Sequence, residues 1–229
     1  MWTRQELKQN AKQILRRTYW SGFLTLLVLG FLVAGSNGVT YVTNISNGFK
    51  LTIRPQLLLI VSMISIMYTI FLSNILMVGK RYYFLHSRVH DPEISNIFVR
   101  FGNGNYGNVM VVTLIRTVKI FLWTCLFIIP GIIKTYEYWF VDSILAENPT
   151  LSQDRVFELS RAMSDGIKFQ IFVLQISFVG WYLLGIFACG IGTLFVGPYY
   201  EATMAELYMA QRAKVMAESL TDFGELGGF

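Results

Sequence analysis

Three stretches of this chain carry no charged side chain at all. No Asp, Glu, Lys or Arg lies between Arg17 and Lys50, between Arg54 and Lys80, or between Lys168 and Glu201. A helix needs about 20 apolar residues to cross the hydrocarbon of a bilayer, at about 1.5 Å of rise each. Each stretch is long enough, and the composition agrees with them. Of 229 residues, 54% are hydrophobic and only 14% charged, with a mean hydropathy of +0.49. Soluble domains carry about 25% charge, so this chain lacks the residues for a water-facing surface. The expected fold class is all-α, a polytopic membrane helix bundle.

The chain predicts about six transmembrane helices, over 19–34, 57–79, 109–129, 131–146, 169–189 and 193–209. Two interfacial amphipathic helices are expected over 3–17 and 152–165. Residues 1–212 form one membrane domain, and residues 213–229 read as a loose, acidic, cytoplasmic tail. In the first amphipathic helix Leu7, Ala11, Ile14 and Leu15 share one side, while Arg4, Lys8, Lys12 and Arg16 form an i, i+4 row on another. A signal peptide is the alternative there, but the basic region is too long and too helical for one. Val39 to Ile45 and Phe49 to Arg54 flank Asn47-Gly48, a hairpin dipeptide. Thr150 and Gln153 have the spacing of a capping box. Gly197-Pro198 is expected to interrupt the sixth span.

Orientation follows from the basic residues. With the N-terminus inside, internal segments hold fourteen Lys and Arg, and external segments hold only Lys50 and Arg54. That bias places both termini in the cytoplasm. The net charge of +5 then calls for anionic lipid headgroups as the counterpart, and nucleic acid is not expected. A membrane protein partner fits the two amphipathic helices, while the sequence does not fix the oligomeric state.

Chemical motifs are few. Gly102-x-Gly104-x-x-Gly107 matches the dinucleotide fingerprint, but an apolar span follows it and Leu122 stands where an acidic residue is needed. His86 and His90 are too few for a zinc site, and Cys125 and Cys189 have no metal or redox spacing. No metal, no cofactor and no catalytic residues are expected, which argues against an enzyme. The candidate site is a cluster of charges inside the predicted spans: Arg116, Lys119, Glu137, Asp142, Glu201 and Glu206. A charge at mid-bilayer costs about 2.5–3.5 kcal/mol or more, so these residues must pair or line a wet cavity. Arg116 is expected to meet Asp142 or Glu206, and Lys119 to meet Glu201.

Ala146-Glu-Asn-Pro149, Ser160-Arg161-Ala-Met163, Asp165-Gly166-Ile-Lys168, Ser177-Phe178-Val-Gly180-Trp181, Gly190-Ile-Gly192 and Pro198-Tyr199 with Ala202-Thr203 together resemble an uncharacterised membrane family of Gram-positive bacteria, domain of unknown function 975. Arg4-Gln-Glu-Leu7-Lys8 and Tyr19-Trp20 look similar too. One departure is Ser164, where the family usually has a second methionine. The chain is more distantly similar to the membrane domain fused to some glycerophosphodiester phosphodiesterases. Neither resemblance implies an established activity or functional residues. The expectation is a non-enzymatic accessory, assembly or regulatory protein of the cytoplasmic membrane. The alternative is a small transporter or lipid-handling protein with a charged intramembrane cavity.

Overall fold

A computed structural model describes residues 2–34, 42, 44, 54–102, 104–187 and 192–228. All regular structure among them is helical. The helices are α1 (Arg4–Ala34), α2 (Pro55–His86), α3 (Tyr106–Leu126), α4 (Ile128–Glu137), α5 (Val141–Glu147), α6 (Gln153–Ser164), α7 (Lys168–Phe187) and α8 (Gly192–Ala217), with a short 3₁₀ and α turn over 94–102. Four of them, α1, α2, α3 and α7, are long and apolar enough to cross a membrane. The predicted hairpin around Asn47-Gly48 and residue Cys189 lie outside the described residues, and Cys125 is an exposed thiol.

α1 is one helix of 31 residues, about 46 Å long. The amphipathic segment and the first predicted span are therefore parts of one continuous helix. Leu7, Ala11, Leu15, Thr18, Gly22, Thr25 and Leu29 are its buried residues. Their spacings are all three or four, the stripe of a helix packed lengthwise on a partner. That partner is α8, on which α7 also packs. Gly185 and Gly192 make the α7–α8 junction possible: a Cβ on Gly185 would lie 2.6 Å from the Thr193 nitrogen.

α8 runs unbroken through Pro198, so the expected interruption does not occur. Proline removes one N–H from the ladder, and the Tyr19 hydroxyl donates to the nearby Phe195 carbonyl, 3.1 Å away. α2 contains a π-helical turn over Thr69–Ser73. Such a turn frees backbone groups, and the Tyr106 hydroxyl donates to the Phe71 carbonyl at 2.6 Å.

The helix predicted over 131–146 is two helices, α4 and α5, broken by a turn at 138–140. α5 is packed against α2 and α6, with Ile144, Leu145 and Ala146 fully buried. Its apolar residues face protein, which is why it reads like a membrane segment without being a single straight crossing. α6 forms close to the expected range, but its N-cap is Ser152, whose side chain makes no capping bond. Thr150 turns back instead, and its N–H and hydroxyl both donate to Asn148 Oδ1. Val156, Phe157, Leu159 and Met163 of α6 are buried in the protein, so this helix is part of the core and not only a surface float.

The C-terminal segment is also ordered by contacts, against the expectation of a loose tail. α8 extends to Ala217, and beyond it Leu226 is fully buried. Arg155 on α6 holds Glu225 through both carboxylate oxygens at 2.7 and 2.8 Å. Arg212 donates twice to the Leu226 carbonyl. Residues 218–228 are thus a strap across the end of the bundle. Most of the core lies at this end, while the apolar faces of α2, α3 and α7 are exposed outward, including Leu59, Met63, Phe121, Leu122, Phe169 and Phe187.

A cluster of interior ion pairs as the candidate functional site

Glu201 sits in the middle of α8 with its side chain 9% exposed. An acid buried this deeply needs partners, because desolvation penalises the charged form. α2 supplies two. Lys80 donates to one carboxylate oxygen at 2.6 Å and Arg81 to the other at 2.8 Å. Five residues further along α8, Glu206 is held by Arg88, in the turn that follows α2, and by the Asn10 amide of α1 at 3.3 Å. The acids of α8 therefore face basic residues at the C-terminal end of α2 and in the turn beyond it. Lys80 and Arg81 are held on α2 because the helix continues to His86, beyond the point where its apolar run stops.

Arg116 of α3 pairs with Asp142 of α5, one of the two partners expected for it, while the other, Glu206, is held by Arg88. Lys119 does not reach Glu201. Its ammonium lies 3.8 Å above the centre of the Phe157 ring, a cation–π contact that needs no carboxylate. The expected Lys119–Glu201 pair is thus replaced by Lys80, Arg81 and a ring. The reason is lateral: depth along a helix does not say which neighbours stand beside it.

Glu137 closes α4 and collects three cations, Lys134 at 2.8 Å, Arg161 at 3.1 Å and Lys168 at 3.4 Å. Its backbone carbonyl accepts from Ser160 at 2.9 Å and Ser164 at 3.3 Å. Cations and hydroxyl donors at a helix C-terminus satisfy its free carbonyls and oppose its dipole. This arrangement fastens α4 to α6 and α7. A cleft of about 270 Å³ opens beside it, lined by Arg81, Arg116, Tyr138, Trp139 and Asp142 among others. Both of its guanidinium groups already hold carboxylates.

One buried group was not foreseen from the sequence. Glu147 of α5, its side chain 0% exposed, accepts from the Tyr208 hydroxyl at 2.6 Å and the Gly228 N–H at 3.1 Å, and lies 3.1 Å from Arg212. The adjacent Asn148 amide donates to the Glu225 carbonyl at 3.0 Å. Glu147-Asn148 is therefore the seat of the C-terminal strap. The only sequence signal was an acid at the end of an apolar run.

The Gly-rich match at Gly102, Gly104 and Gly107 follows a helical turn, not a strand, and leads into α3. Gly104 takes a φ of +70°, which a turn needs and other residues resist. His86 stacks on Tyr82 and on His90. Among the described residues no three His, Cys, Asp or Glu side chains gather to hold a metal.

No curated protein and no solved structure matches this chain. Residues 125–214, which carry Glu137, Asp142, Glu147, Glu201 and Glu206 but not Lys80, Arg81 or Arg88, match the model of a family described as a protein of unknown function, DUF975.

Proposed function

We propose that this chain crosses the cytoplasmic membrane of a Gram-positive bacterium about six times, with both ends in the cytoplasm, and serves there without catalysis as an accessory, assembly or regulatory protein. The four apolar helices account for four crossings. The other two are assigned to α4 with α5, which return the chain from the end of α3, and to the apolar first half of α8. The fourteen-to-two distribution of basic residues supports the orientation, and the motif likeness to the Gram-positive family supports the source.

The observation that carries the non-catalytic role is that the interior acids are committed to internal partners. Glu201, Glu206, Asp142 and Glu137 each hold at least one cation of the same chain. Groups so engaged fasten helices and are not poised for proton or substrate transfer. The outward apolar faces of α3 and α7 then offer the surface for a membrane protein partner. A photo-crosslinking residue at Phe172 or Trp181, both exposed on α7, is expected to give one discrete protein adduct in native membranes.

The second reading, a small transporter or lipid-handling protein, has the cleft beside Arg81 and Arg116 in its favour. Ion or lipid flux in proteoliposomes of the purified protein, together with lipid-only adducts from α7, would replace the accessory role with that one.

A further inference from the structure

Four cations stand apart from the paired ones. Arg4, Lys8, Lys12 and Arg16 form a row along α1, and among the described residues none is ion-paired with a carboxylate. The acid nearest in sequence, Glu6, is turned to the Thr3 N–H at 2.8 Å. Two of the four lie over aromatic rings, Lys8 at 4.5 Å from the Phe178 centre and Lys12 at 5.6 Å from that of Tyr199.

This row borders a groove. α1 and α7 both pack on α8. Clefts of about 370 and 420 Å³ run between the N-terminal halves of α1 and α7 and adjoin one of about 650 Å³ between the start of α7 and the C-terminal part of α8. Arg4 and Lys8 line one side and Phe169 and Val173 of α7 the other. Phe169 is 73% exposed at the start of an apolar helix. Trp2 sits where the clefts meet, its indole N–H donating to the Gln211 amide when that amide is oriented to satisfy both its neighbours. The far end holds Asp165 and a Lys214 that faces Glu218 at 3.9 Å, so its named groups carry a net negative charge and do not extend the basic wall.

A groove with unneutralised cations on one wall and bare apolar surface on the other fits a molecule with an anionic head and an apolar tail. We propose that it binds one anionic phospholipid, the phosphate held by Arg4 at the level of Phe169 with the Lys8 ammonium reaching up to it, and an acyl chain running inward against Val173. The site rests on the membrane-embedded reading alone and is independent of the accessory role. Charge complementarity selects the lipid over a neutral one. Arg4, beside Phe169 and Val173 in the first turns of α7, puts the head near headgroup depth, and Lys8 stands one turn further in, beside Ser177 and Phe178.

The test is native mass spectrometry of the detergent-purified full chain with added phosphatidylglycerol or phosphatidylcholine of identical acyl chains. One phosphatidylglycerol is expected to be retained at least about tenfold more tightly than phosphatidylcholine. At about 1 kcal/mol for each basic residue near a phosphate, Arg4→Gln with Lys8→Gln should weaken retention roughly 25-fold. Val173→Trp, which fills the groove and leaves the charge untouched, should also weaken it. Arg54→Gln, at the start of α2 and lining none of these clefts, should not. Thermal unfolding of each variant reports that it has folded. Equal retention of the two lipids, or unchanged retention in the Arg4/Lys8 variant, overturns the proposal. So does displacement by free glycerol phosphate with no effect of Val173→Trp, which would mark an anion site without a tail. A protein adduct from a photo-crosslinker at Gln5 in native membranes would give the groove to an acidic partner segment and equally overturn it.

Discussion

The Lys80 ammonium on α2 lies 2.6 Å from the Glu201 carboxylate on α8, and the neighbouring residue, Arg81, occupies the other oxygen of the same acid. One carboxylate thus joins two consecutive positions of α2 to the centre of α8. Glu201→Ala leaves two cations without their counter-charge. Removing one side of a buried pair typically costs about 3–5 kcal/mol. The Tm in detergent should fall sharply for Glu201→Ala and less for Glu201→Gln, which still accepts a hydrogen bond. Equal, small effects of both changes would mean that water solvates this acid.

Gly79 precedes this pair on α2, and a Cβ there would collide with the Ile97 carbonyl. The obstacle is backbone, which cannot rotate away. Gly79→Ala gains up to about 1 kcal/mol of helix propensity but must push the 3₁₀ turn off α2, at a typical overpacking cost of about 1–3 kcal/mol. A net loss of stability is expected, and it should be larger for Gly79→Val. Gly30, with open space around its Cβ position, serves as the contrast, where Ala should be neutral or stabilising.

The all-helical class and the long apolar helices were legible in the sequence because missing charge is a one-dimensional signal. The Arg116–Asp142 pair was legible for a similar reason: both charges lie in apolar surroundings, and few partners exist there. What lay beyond reach depended on which helices are neighbours. Phe140, Val141, Ile144 and Leu145 are as apolar as a membrane segment, yet protein buries them, and hydrophobicity does not distinguish the two environments. Lys80 and Arg81 follow an apolar stretch and so read as headgroup anchors, whereas Glu201 claims both. The tail reads as loose from its glycines and acids, since nothing local reveals that Arg155, Arg212 and Glu147 wait for it.

The strap gives a pH dependence. The hydrogen bond from Arg155 holds the Glu225 carboxyl below its usual range, more than its partial burial raises it. A depressed folded-state pKa means that the stabilisation is fully present above the ordinary carboxylate range and is lost as pH falls through the lowered value. Protection of residues 220–228 against hydrogen exchange, taken relative to the unstructured rate at the same pH, should therefore be high at neutral pH and fall in acid. In Glu225→Gln it should be low at both and flat with pH. Protection in the native chain that ignores pH would remove Glu225 from this role.

Orientation can be read with single cysteines in a background lacking Cys125 and Cys189. Ser95 and Gln153 are exposed and belong to the proposed cytoplasmic side, so an impermeant thiol reagent should label both only after the membrane is opened. External labelling of Gln153 alone would show that α4 and α5 do not return the chain.

The most direct test of the account is a double-mutant cycle on Arg116 and Asp142, the pair that joins α3 to α5. If the interior charges are structural, Arg116→Leu and Asp142→Leu should each lower stability by about 3–5 kcal/mol, and the double change should recover most of it, because removing both partners is often close to neutral. A phenotype, where one exists, should follow stability. Single changes that leave the Tm intact while abolishing function, with no coupling between the two sites, would contradict the account and make the cleft beside Arg116 a working cavity.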